Sequence, residues 1–201
     1  MPRYWRDGAL APLLLLAALL PLAACGPKAV KVGSRPFPAD RPVFVDASGK
    51  SLAALPEADE PVRLVLLDFP WCPACAETWK ALRRASEQVP PGSGRVYRVV
   101  FDRETALTAS TRGEVPPLRP SPIPGAGGDG SAGGFPVTVL TALPGPFGEE
   151  FRVSQAPVLL LLDPGGTVAR RWVGYSPGMD TEVAGEVRNR TRAPSPPPPE
   201  K

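Results

Sequence analysis

The residues best equipped for chemistry are two cysteines three apart, in Trp71-Cys72-Pro73-Ala74-Cys75. Thiols at that spacing on a helix start can close a disulfide within one turn. The first of them would lie at the positive end of the helix dipole, beside unpaired backbone N–H groups, which favours thiolate. A thiolate is the attacking species in disulfide exchange. This predicts that Cys72 attacks a substrate disulfide and that Cys75, on the inward side of the helix, resolves the mixed disulfide. A purely structural disulfide is the alternative, but so tight a loop gains little from closure on the loop-length model. The 201-residue chain has no histidine. That removes Ser–His and Cys–His nucleophile pairs, HExxH metal sites and histidine proton shuttles.

The flanking elements suit this chemistry. Residues 62–69 (VRLVLLDF) are an apolar run of the length of a strand buried on both faces. Pro73 to Val89 reads as a helix, with Pro73 in the first turn where its missing N–H costs nothing. Cys75, Trp79, Leu82, Ser86 and Val89 share one stripe of it, and Glu77, Lys80, Arg84 and Glu87 another. Residues 95–102 (RVYRVVFD) are a second buried strand candidate, completing a β–α–β unit. Further along, 135–142 reads as a strand and 148–153 as a short helical turn. Residues 158–163 and 167–173 are joined by Pro164-Gly165-Gly166, a hairpin signature, and 180–190 forms a weaker helix. Val43–Asp46 is a short strand turned by Ala47–Lys50.

The ends and one internal stretch read differently. Arg3 and Arg6 precede an apolar run, Ala9 to Ala24, that is short for a membrane span and has the layout of a secretory signal. Leu22-Ala23-Ala24-Cys25 resembles the bacterial lipobox, which implies cleavage before Cys25 and lipid attachment to it. Three cysteines is an odd number for an exported protein. Acylation of Cys25 would leave Cys72 and Cys75 as a pair, in a compartment where disulfides persist. With only two thiols and no histidine remaining, a four-ligand zinc site is disfavoured. Residues 1–24 are thus expected to be a signal peptide, 25–41 a flexible tether and 42–190 one α/β domain. Within it, Gly- and Pro-rich residues 113–134 form a disordered insertion, and 191–201 a proline-rich disordered tail. The net charge of +3 is too small for an electrostatic nucleic-acid footprint.

Four features together resemble the thioredoxin superfamily, in particular its exported, membrane-tethered TlpA/ResA-like thiol–disulfide oxidoreductases. They are the strand ending in Asp68-Phe69, the WCPAC motif, the run FGEEFRVSQAP (147–157), and the hairpin VLLLLDPGGTVARRWVGY that follows. The resemblance covers about residues 42–190 without the insertion. It implies a central mixed sheet flanked by helices. Pro157 is then a cis-proline facing the redox pair, with the Ala156 backbone pairing with an extended substrate segment. Trp71 covers one side of the disulfide, and Trp79 and Trp172 belong to the core. Asp68 is either a semi-buried acceptor of the Cys75 proton or a solvated strand-end acid. Two departures stand out. The link Phe69-Pro70-Trp71 is about two residues shorter than in typical members, and the acidic residue that many of these reductases carry after the second cysteine is displaced, Glu77 lying out of register.

The resulting expectation is a lipid-anchored oxidoreductase of the cell envelope, in the outer membrane if the host is didermic. It would exchange the Cys72–Cys75 pair with cysteines of exported proteins, more as reductant than oxidant, and be recycled by an upstream redox partner. No metal or organic cofactor is required, because the two sulfurs carry both electrons. A DsbA/DsbC-like oxidase or isomerase, and a non-catalytic binding lipoprotein, are the alternatives.

Overall fold

A computed structural model describes residues 30–69, 71–101, 131–132, 134–151 and 155–192. The expected signal peptide, Cys25, most of the expected insertion and the tail from residue 193 lie outside them.

The central β–α–β unit forms where the apolar runs predict it. Strand β3 (Arg63–Asp68) leads into helix α1 (Pro73–Ser86) and returns as β4 (Arg95–Val100), paired in parallel with β3 over six residues. Strand β6 (Phe135–Ala142) adds parallel to β4 on its other side. A two-strand hairpin, β1 (Phe44–Val45) and β2 (Ser51–Leu52), closes that edge through antiparallel pairing of β1 with β6. Short β5 (Ser131–Ala132) also pairs with β6. On the other side of β3, β7 (Val158–Leu162) and β8 (Val168–Val173) form an antiparallel hairpin, with Gly166 at positive φ in its turn. The mixed sheet therefore runs β2–β1–β6–β4–β3–β7–β8.

Both sheet faces are covered, which explains why the central strands are apolar without alternation. One face packs Leu64, Leu66, Val96, Leu159 and Leu161 against α1 and helix α3 (Met179–Thr191). The other packs Val65, Leu67, Tyr97, Val99 and Leu160 against Phe44 and against Phe147 and Phe151 of helix α2 (Pro144–Phe151). Helix α2 starts four residues before the expected turn at Gly148. Leu143 O accepts the Phe147 N–H at 2.8 Å, so Pro144 and Pro146 occupy first-turn positions whose N–H groups have no intrahelical partner.

Three boundaries need correction. Residues 30–41 were expected to be part of the tether but pack on the domain: Val30 is 9% and Phe37 7% exposed, and Gly33 N and Ser34 O pair with Val168 across an edge. Two buried apolar side chains outweigh the proline content that suggested a free segment. The insertion ends before residue 131 rather than at 134. There β5 joins β6, and Gly134 N donates to Ser86 Oγ at 3.1 Å. A Cβ on Gly134 would stand 2.9 Å from Ser86 O, so the glycine read as loop composition is required by close approach. Finally, Thr191 belongs to α3, its Oγ1 donating to Val187 O at 3.1 Å.

Candidate redox site

The site forms where β3 hands over to α1. Cys72 N donates to Phe69 O at 2.9 Å, a tight turn that absorbs the shortened link and places Cys72 as the N-cap of α1. Its backbone is extended (φ −97°, ψ 108°), and its Sγ accepts the Cys75 N–H at 3.1 Å. A sulfur takes the role that a Ser or Asp oxygen usually plays at this position. The Cys75 N–H and the N-terminal end of α1 both face this sulfur. Pro73 is N1, as expected. Both cysteines are thiols; Cys72 is half-buried and Cys75 is 1% exposed.

Burial sets the two sulfurs apart. It pushes the Cys75 thiol up to about 12, and the hydrogen-bonded Cys72 and the Asp68 charge add in the same direction. The Phe69 backbone offsets part of this. The inward stripe of α1 is Cys75, Thr78, Ala81, Leu82, Ala85 and Ser86; Trp79 lies at its margin rather than within it.

Asp68 is not a solvated strand end. It is 2% exposed, and Arg98 of β4 meets its Oδ2 through both Nε and Nη2 at 2.5 Å. The Arg98 guanidinium also lies 4.9 Å from the Trp79 ring centroid. Sequence reading missed Arg98; an arginine inside the buried strand RVYRVV, flanked by Tyr97 and Val99, was the available signal, since a buried cation requires a partner.

The opposite wall comes from the β7–β8 hairpin. Leu67 pairs with Val158, which sets Pro157 beside the end of β3, and the Ala156–Pro157 bond is cis. Ala156 is exposed and Pro157 buried. Gly174 N donates to Pro157 O at 2.9 Å, bringing the exposed Val173 and Tyr175 to the same end of the sheet. Trp71 is 55% exposed and leans edge-on against Phe69, ring centroids 5.6 Å apart. An apolar rim of Trp71, Val173 and Tyr175 thus stands at the Cys72 end of the sheet. Trp172 is core, as expected.

No protein-family model matches the chain, and no curated protein matches it in sequence. Solved structures do match in shape. An uncharacterized thioredoxin-like protein from Porphyromonas gingivalis superposes with TM-score 0.54 at 18% identity, covering 77% of this chain and 92% of that one. A thioredoxin-like protein from Aeropyrum pernix gives 0.50 at 20% identity, covering 72% and 87%. The chain has the thioredoxin-like fold. The thioredoxin domain of a thiol-disulfide oxidoreductase from Bacteroides vulgatus also gives 0.50, at 16% identity over 80% and 98% of the two chains. Among the described residues, no helix is long and apolar enough to cross a membrane.

Proposed function

We propose that this protein is an extracytoplasmic thiol–disulfide oxidoreductase, lipid-tethered through Cys25, that exchanges the Cys72–Cys75 pair with cysteines of exported proteins, chiefly as reductant. The observation that carries the reading is the asymmetry of the pair. Cys72 Sγ sits at the open N-terminus of α1 with an N–H aimed at it, while Cys75 is sealed behind. Cys72 thiolate attacks a substrate disulfide, one substrate sulfur leaves as thiol, and a Cys72–substrate mixed disulfide forms. Cys75 then loses its proton and attacks Cys72 Sγ. The second substrate thiol is released, and two electrons have passed from the pair to the substrate.

The proton on Cys75 needs an acceptor, because burial holds it there at neutral pH. Asp68 is the carboxylate whose charge acts on Cys75, and we assign it that role, while Arg98 holds its Oδ2. Ala156 and the cis Pro157 present the backbone edge that an extended substrate segment would meet, inside the rim of Trp71 and Val173. Neither metal nor organic cofactor enters this scheme. A second dithiol protein would return the pair to its reduced state.

The test is a Cys75→Ser variant of the native lipoprotein. Cys72 should then hold exported partners as mixed disulfides that run as reducible bands on non-reducing gels. An unreactive Cys72 with no captured partner would favour the non-catalytic binding reading. A measured reduction potential close to that of strong oxidases would reverse the proposed direction.

A further inference from the structure

Residues 30–43 cross one face of the sheet as a strap. The strap begins at the β8 edge. There Gly33 N donates to Val168 O and Val168 N to Ser34 O, both at 2.8 Å, and Arg35 Nε reaches Thr167 Oγ1 at 3.2 Å. Phe37 then sits among Phe44 and Phe151, ring centroids 5.2 and 5.3 Å away, and Ala39 N donates to Ala53 O at 2.7 Å before the chain enters β1. Val168 lies beside Leu162, which pairs with Arg63, the first residue of β3. Cys72 follows the last. The strap's entry point is therefore at the end of the sheet opposite the redox pair.

Resting on the tethered reading above, we infer that the strap fixes which end of the domain faces the bilayer. The base, formed by the β7–β8 turn and Lys31–Arg35, lies on the membrane side. The Cys72 end points away, toward partners in the aqueous compartment rather than thiols at the lipid surface. The reach of the leash decides this. From Cys25 to Val30 there are only five peptide steps, about 18 Å when fully extended. Strand β3 alone spans about 20 Å, and Cys72 lies beyond it. Had residues 30–41 been free, the leash would be about 60 Å at full stretch and would impose no orientation.

The experiment uses the full-length lipoprotein reconstituted in phosphatidylcholine vesicles carrying an acceptor-labelled lipid. A donor dye is placed either on Cys72 in the Cys75→Ser variant or on Pro164→Cys in a Cys72→Ser/Cys75→Ser background. The dye at position 164 should be quenched more, by roughly twofold for a height difference of about 20 Å. Inserting about twelve Gly/Ser residues between Ala29 and Val30 should erase the difference. Equal or stronger quenching at Cys72, or a difference that survives the insertion, overturns the inference. Vesicle flotation separates this from failure of the anchor itself: unacylated protein would stay at the bottom of the gradient, and its Cys25 would take up dye.

Discussion

The two sulfurs of the site differ by position rather than by type. Cys75 has a thiol pushed up to about 12 by burial, against an ordinary value of 9.0. In the reduced protein, iodoacetamide at neutral pH should modify Cys72 and leave Cys75 largely unmodified until the chain unfolds, as peptide mass spectrometry will read. The same shift makes stability depend on pH. A raised folded value means the native state holds the Cys75 proton where the unfolded chain has lost it. Its contribution is therefore complete below about 9 and disappears as pH rises toward 12. Denaturation of the reduced protein across that window should show the decline, and Cys75→Ala or the oxidised disulfide form should flatten it. Asp68 and Arg98 form the second residue-scale device. Removing Arg98 strands a buried carboxylate, so Arg98→Leu should cost about 3–5 kcal/mol, and much less in an Asp68→Asn background. Because the Asp68 charge opposes Cys75 ionisation, Asp68→Asn alone should move the Cys75 titration downward, measurable from its 13Cβ shift.

Among the elements, α1 does the positioning, and its two ends are fixed in different ways. At its start the Phe69–Cys72 turn sets the N-cap directly after β3. At its finish, Ser86 Oγ accepts from Gly134 N while α3 grips the same stretch through Arg84–Asp180 and Arg188–Gln88 O. Gly134 approaches too closely to accept a methyl group. Gly134→Ala should lose about 1–3 kcal/mol in chemical denaturation, because Ser86 O is backbone within a packed helix and cannot rotate aside. A variant of unchanged stability would mean that the β5 edge is free to move off the helix.

Across the whole molecule, an aromatic cluster links the strap to the site. Phe37 touches Phe44 and Phe151, Phe147 touches both of those, and Phe101 bridges Phe147 to Phe69, which meets Trp71. The strap is thus part of the core it crosses. Phe37→Ala should lower stability by about 3–5 kcal/mol. It should also accelerate hydrogen exchange at the Gly33 and Ala39 amides, whose bonds to Val168 O and Ala53 O hold the strap down. Protection unchanged at both amides would show that Phe37 does not pin it.

Local chemistry by itself determined much of this protein. Apolar runs of strand length marked β3, β4, β6 and β7, a proline at N1 marked the start of α1, and Pro-Gly-Gly marked the β7–β8 turn, because each signal acts within a few residues. The Cys72–Cys75 pair and its unequal exposure were legible for the same reason. Only the tertiary structure decided the rest. Whether Asp68 met water or a guanidinium depended on a neighbour in β4, thirty residues away. Whether residues 30–41 hung free depended on aromatic rings from β1 and α2 that close over Phe37. Burial and pairing are properties of what arrives from elsewhere in the chain, and composition of the segment itself does not encode them.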